Sequence, residues 1–233
     1  MALPDFRVLW LGYPRGTSTE VKARIGGKLN YDWITNTCTI RTSHAFNCGG
    51  ELIPKGIEGL NTIASPAGWN YAYRVAEFDR WLRRTHGAPD HVIEGEAGTL
   101  TPTALAKAQG IICFEVASWT DATGHFDMWN GVQTVHGMYF DKAHRISVWS
   151  ASTTSSPFAI QKAVGKGQPN QRADVKVVQR LLNIQLADAG REDGDCGPRT
   201  IYAIQRFQQW YDLPTNGQVS PDGVTFRRLT NPD

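Results

Sequence analysis

The sequence predicts an α+β domain over residues 1–150, a linker over 151–171 and a small three-helix bundle over 172–233. Three observations carry this reading. Helical apolar spacing dominates the first hundred residues, strand signals around an Asn130-Gly131 turn fill the stretch from Ile111 to Trp149, and helical spacing returns after the polar run Ala151-Ser152-Thr153-Thr154-Ser155-Ser156-Pro157. Helices first and an antiparallel meander second are the pattern of an α+β fold. At 233 residues and 41% hydrophobic content the chain can bury one sizeable core and a second small one.

Phe6 to Trp10 is an apolar segment that leads to a turn at Tyr13-Pro14-Arg15-Gly16. Thr17-Ser18-Thr19-Glu20 reads as a capping box, in which hydroxyl and carboxylate satisfy orphan amides. It starts a helix through Val21 and Ile25 that Gly26-Gly27 stops, expected to pack beside the next helix. That next helix takes Asn36 or Thr37 as N-cap, buries Ile40, Ala45 and Phe46, and ends at Gly49. Glu51 to Gly68, rich in Gly and Pro, reads as a long loop able to line a cleft. Asn70 then caps a helix that buries Val75, Phe78, Trp81 and Leu82, turns Arg74, Arg80, Arg83 and Arg84 outward, and closes at Gly87. Thr101-Pro102 opens another, through Leu105 and Lys107 to Gly110.

Ile111 to Ala117 is a central strand with Cys113 as core filler, and Gly124 to Trp129 is a second strand. Asn130-Gly131 predicts a tight hairpin with Val132 to Tyr139 returning antiparallel, and Arg145 to Trp149 is the third strand. Beyond the linker, Val175, Val178, Leu181, Leu182 and Leu186 form one helical face, Ile201, Ile204, Phe207 and Trp210 a second, and Val224, Phe226 and Leu229 a third.

Charge and composition exclude several classes. The 24 basic and 22 acidic residues are spread along the chain, so neither a nucleic-acid partner nor membrane insertion is expected. The N-terminus does not read as a secretory signal, so synthesis in the cytoplasm is expected. The four cysteines show no zinc spacing, and no disulfide is expected, a Cys48–Cys113 bridge being the one alternative.

Cys38 is the candidate nucleophile. It lies in the first turn of its helix, where unpaired amides and the positive dipole end favour a thiolate, and its own N–H, with a neighbouring donor, would face an oxyanion. A cysteine nucleophile needs a base and a group that orients the base. His125, on a strand beside the hairpin, is the candidate base. His136, across the hairpin, is the first choice as orienting residue, with Asp127 and Asp141 as alternatives. A weaker reading makes His125, Asp127 and His136 a zinc site; the thiol reading needs no metal or other cofactor.

Phe6 to Trp10, Tyr13-Pro14, Ile25-Gly26-Gly27, Asn36 to Asn47 and Gly124-His125 through Trp129-Asn130-Gly131 together resemble the fourth family of type VI secretion amidase effectors. The resemblance implies an NlpC/P60-like, papain-related fold, Cys38 as nucleophile and His125 as base. It also implies cleavage of peptidoglycan stems between D-glutamate and meso-diaminopimelate. Family members usually carry an aspartate where His136 aligns, whereas many NlpC/P60 peptidases use a histidine there. Delivery by the secretion machinery into the periplasm of a target cell and a cognate immunity protein are implied with it.

Asp174 to Leu182, Asp193 to Thr200, Ile204 to Gln208 and Leu213-Pro214 with Gly217 resemble a three-helix peptidoglycan-binding domain. Here Asp195 is expected to cap the second helix, Cys196 to pack, and Asp193, Gly194 and Arg199 to contact the wall peptide. The other readings are a phage endolysin, a housekeeping wall hydrolase, and a wall-binding protein with a dead catalytic domain.

Overall fold

The computed structural model describes residues 1–119, 123–154 and 158–231. The chain divides into two compact units, Met1–Ser155 and Ser156–Asp233. The first begins with α1 (Phe6–Gly12), a true helix where the sequence suggests only an apolar segment; Asp5 caps it by accepting the Arg7 N–H at 2.9 Å. α2 (Ser18–Ile25) starts from the expected capping box of Thr17 and Glu20. α3 (Cys38–Cys48) is the central element: every residue from Cys38 to Asn47 is buried, and α1, rather than α2, is its main helical neighbour. Burial of so polar a helix requires a partner for each polar group. Ser43 accepts the Ala72 N–H at 3.0 Å, while Asn47 accepts the Ile53 N–H at 2.9 Å and donates to the Asn70 carbonyl at 3.0 Å.

Those bonds hold a hairpin, β1 (Thr62–Ala64) within the stretch read as loop and β2 (Asn70–Ala72) where a helix was expected to start. Asn70 is therefore a strand residue and not a helix cap. α4 (Val75–His86) starts after Arg74 and ends at Gly87, with φ of 89°. It buries Phe78, Trp81 and Leu82 as expected, and its Arg83 lies over the Trp149 ring at 5.2 Å.

The sheet of this unit comprises β3 (His91–Glu94), β4 (Gly110–Glu115), β5 (Gly124–Trp129) and β6 (Arg145–Ser150), in the order β3-β6-β4-β5 and antiparallel throughout. β3 has no counterpart in the sequence reading. Pro102–Leu105 is a single 3-10 turn, and Gly110 opens a strand rather than ending a helix. The expected return strand from Val132 to Tyr139 is absent; a single bridge between Trp129 and Thr134 stands in its place. The reason is Asp127, whose buried carboxylate takes the N–H groups of Val135, His136 and Gly137 at 3.0 to 3.1 Å, so these amides cannot join a ladder.

Alternation along β5 sends Phe126 and Met128 into one core, with Ile111, Cys113, Phe46, Phe78 and Trp81. The opposite face packs Ile112, Phe114, Ile146 and Val148 around Trp129. β5 is an edge strand and α3 packs against it, so the helix start meets the strand start. All four cysteines are free thiols, which removes the Cys48–Cys113 alternative.

In the second unit β7 (Val164–Gly165) precedes α5 (Arg172–Ile184) and α6 (Pro198–Trp210), and pairs with β8 (Gln218–Val219) ahead of α7 (Val224–Thr230). Three helices are thus present as expected. The segment from Ile160 to Gly165, read as linker, belongs to this unit: Ile160 and Val164 are buried, and Asp174 accepts the N–H groups of Gln161 and Lys162 at 2.9 Å. Residues 155–157 of the expected linker lie outside the described residues. The core gathers Val175, Val178, Leu181, Leu182, Ile204, Phe207 and Leu229. Gly197, followed by Pro198, is the N-cap of α6; Asp195 instead sits on the surface, 3.8 Å from Arg172. Among the described residues no helix is long and apolar enough to cross a membrane.

Candidate active site

Cys38 is the first residue of α3 and is 2% exposed. Asn36 and Thr37 deliver the chain to it: the Asn36 side-chain oxygen accepts the Cys38 N–H at 2.9 Å, while Thr37 bonds the Ser18 hydroxyl at 3.0 Å. The Cys38 N–H, expected to face an oxyanion, is therefore engaged by Asn36. A cleft of about 360 Å³ opens over these residues, walled on the far side by Trp119, His125, His136 and Tyr139.

His125 is the second residue of β5, in register with Phe114 of β4. Gly124 makes the approach possible, since a Cβ there would lie 2.4 Å from the Phe114 carbonyl oxygen. The imidazole meets Asp127, Nε2 to Oδ2 at 3.1 Å, and lines the same cleft as Cys38. Burial lowers the affinity of this ring for a proton, but its bond to Asp127 and the charges of Asp127 and Cys38 outweigh burial and hold its pKa at about 9. The Tyr139 ring packs edge-on against it at 4.9 Å.

Asp127 is fully buried and accepts five N–H groups: His125, Met128, Val135, His136 and Gly137. An ionised carboxylate, which only accepts, matches five donors. His136 contributes its backbone N–H to this hub, while its ring, partly exposed, stands 6.0 Å from that of His125. Burial and the charge of Arg41 both lower the proton affinity of that ring. Of the three candidates for the orienting position, Asp127 meets the His125 ring nitrogen, and the His136 ring stands beside that ring. Asp141 is exposed in the turn beyond Tyr139.

His125, Asp127 and His136 place one donor atom each within 4.8 Å of one another, a spacing compatible with a divalent cation. The ring nitrogen turned to Asp127 and the backbone amides on Asp127 commit these groups to each other instead. Cys48 also meets a histidine, His44, at 3.3 Å, but at the far end of α3, where the dipole does not favour an anion.

Asn36, read only as a helix cap, and Arg41, given no role of its own in the sequence reading, both line the cleft. Arg41 could have been found: it stands one helical turn after Cys38, a spacing that puts the two side chains on one face of the helix.

In the second unit Asp193 and Gly194 serve the fold. Both bind the side chain of Gln179, which is 1% exposed, at 2.9 Å, and Gly194 has φ of 83°. Arg199 pairs with Asp188 at the surface.

Residues 34–149 match a family model described as type VI secretion system (T6SS), amidase effector protein 4, and residues 171–226 match one described as a peptidoglycan binding domain. Among solved structures, the effector Tae4 from Enterobacter cloacae is similar at 26% identity with a TM-score of 0.59, over 65% of this chain and 100% of that one. In the Tae4-Tai4 effector-immunity complex from the same organism the values are 26%, 0.58, 64% and 99%. The corresponding complex from Salmonella Typhimurium, at 23% identity and a TM-score of 0.57 over 64% of this chain and 98% of that one, is similar in fold. No curated protein matches the chain.

Proposed function

We propose that the chain, whose residues 34–149 match the type VI secretion amidase effector 4 family model, cuts peptidoglycan stems between D-glutamate and meso-diaminopimelate by Cys/His catalysis. The family makes it a cysteine amidase of the bacterial wall and an antibacterial effector of the type VI system. The observation that carries the catalytic reading is Cys38, at the start of α3, lining one cleft with His125, whose ring nitrogen meets the buried Asp127.

In this reading the Cys38 thiolate attacks the amide carbonyl and the His125 imidazolium protonates the leaving amine. Water then hydrolyses the thioester with His125 as base. Asp127 fixes the ring, as the third member of such a series does. Attack requires the Cys38 N–H to pass from the Asn36 oxygen to the oxyanion. The second unit holds the enzyme on its polymer, and a cognate immunity protein, as in the Tae4-Tai4 complexes, would cover the cleft in the producing cell. Export and action in the periplasm of the target cell follow from the same reading.

Digestion of Gram-negative sacculi by the wild-type chain and by Cys38→Ala, with fragments identified by mass spectrometry, tests it. New ends at the D-glutamate to diaminopimelate bond that vanish in Cys38→Ala are expected. Cleavage that survives Cys38→Ala, or that EDTA abolishes, would transfer the chemistry to a metal ion.

A further inference from the structure

Charge counting in the first unit exposes a requirement that Cys38, His125 and Asp127 do not meet by themselves. A thiolate and an imidazolium oriented by a neutral side chain balance each other. Here the orienting group is a carboxylate, Asp127, with no measurable exposure to water. Two anions, Cys38 and Asp127, would then share one cation, His125, in a buried site where an uncompensated charge is strongly disfavoured.

The structure supplies a second cation. Arg41 stands three residues after Cys38 on α3, is 1% exposed and lines the same cleft. Its N–H groups go to neutral oxygens: Nε to the Thr37 hydroxyl at 3.1 Å, Nη2 to the Gly16 carbonyl at 2.8 Å, and Nη1 to the Pro14 carbonyl. None of these cancels the guanidinium charge; burial works against it, and the groups whose negative charge would favour it are Tyr13, Asp127 and Cys38. The remaining ionisable groups do not replace it. Tyr13 is buried with its hydroxyl donated to the Phe126 carbonyl, and Tyr139 faces His125 by a ring edge. The His136 ring is held toward its neutral form by burial and by Arg41, while Glu20 and Arg24 on α2 offset each other.

We infer that Arg41 is a positioning residue that balances the Asp127 carboxylate, so that Cys38 can remain a thiolate beside a protonated His125. The inference rests on the cysteine reading above and adds the group that makes a charged orienting residue compatible with it. A guanidinium suits this task because it keeps its charge on burial, where a lysine gives up its proton more readily.

The test follows the rate at which iodoacetamide alkylates Cys38 against pH in the full chain, read by peptide mass spectrometry. Arg41→Gln is expected to move the profile to higher pH by about one unit, about tenfold slower at the acid side. Arg41→Gln combined with Asp127→Asn, which keeps an acceptor for the His125 Nε2–H, is expected to bring the profile most of the way back. Arg41→Lys loses the fork of bonds and gives up its proton more readily on burial, so its profile should lie between those of the wild type and Arg41→Gln, with a lower thermal stability. A double variant that stays with Arg41→Gln overturns the inference and leaves Arg41 as a brace for the Pro14 to Gly16 turn. A wild-type profile without reaction at Cys38 near neutral pH defeats the cysteine reading itself, a distinct outcome.

Discussion

At the scale of single residues, the protonation of His125 is the quantity that both activity and stability sense. Its pKa in the folded chain is raised to about 9 from 6.5. Such a group contributes stability that is fully present below pH 6.5 and is lost as pH rises through about 9. Amide cleavage needs the same proton for the leaving amine, so the rate on a stem peptide should fall through a limb near pH 9. Asp127→Asn removes the charge that holds the proton; the limb should move toward neutrality and the rate should drop by about a hundredfold or more. His136→Ala should leave the limb in place, as measured by the same pH–rate profile. That Cys38 and His125 face one cleft was legible in the sequence, because each sits beside a local signal, a helix start and a Gly-led strand. The order of His136 and Asp127 was not, because it depends on whether the amides from Val135 to Gly137 bind a strand or a carboxylate.

At the scale of elements, the sequence is read well where periodicity is long and poorly where the chain is short and rich in turns. α2, α4, β4 and β5 were all anticipated, the first down to its capping box. The β1–β2 hairpin was missed because strands of three residues give almost no alternation, and Asn70, whose amide bonds the Ile53 carbonyl, resembles a helix cap. Gly110 was misread as a helix stop; its real role is close approach. Its φ is 152°, and a Cβ would stand 1.9 Å from the Trp149 carbonyl oxygen, so β4 and β6 can pair there only through glycine. Gly110→Ala should therefore destabilise the first unit by about 3 kcal/mol or more. Thermal unfolding read at the tryptophans would show it, and an unchanged midpoint would mean that β6 ends before Trp149.

At the scale of the whole molecule, function depends on two units that hold themselves together independently. The second unit rests on a device used twice. Gln179 ties Gly194, Asp193 and Thr200, and Gln208 ties Gly217, Asn216 and Thr225, each from a buried amide. Each glutamine satisfies the polar groups of a turn from inside the core, so its loss leaves several of them buried without partners. Gln208→Leu should destabilise this unit by about 2 to 4 kcal/mol, a large share of what 78 residues can hold. The site of Cys38, His125 and Asp127 lies wholly in the first unit, so cleavage of a short soluble stem peptide should keep its kcat/KM in that variant. Sacculi present the same bond on an insoluble polymer, where docking of the second unit makes the next encounter effectively intramolecular. Their digestion at low enzyme concentration should slow by about tenfold to a hundredfold. Equal losses on both substrates would show that the second unit supports the fold of the catalytic one, and no loss on either would remove the tether from the account of how this enzyme reaches its bond.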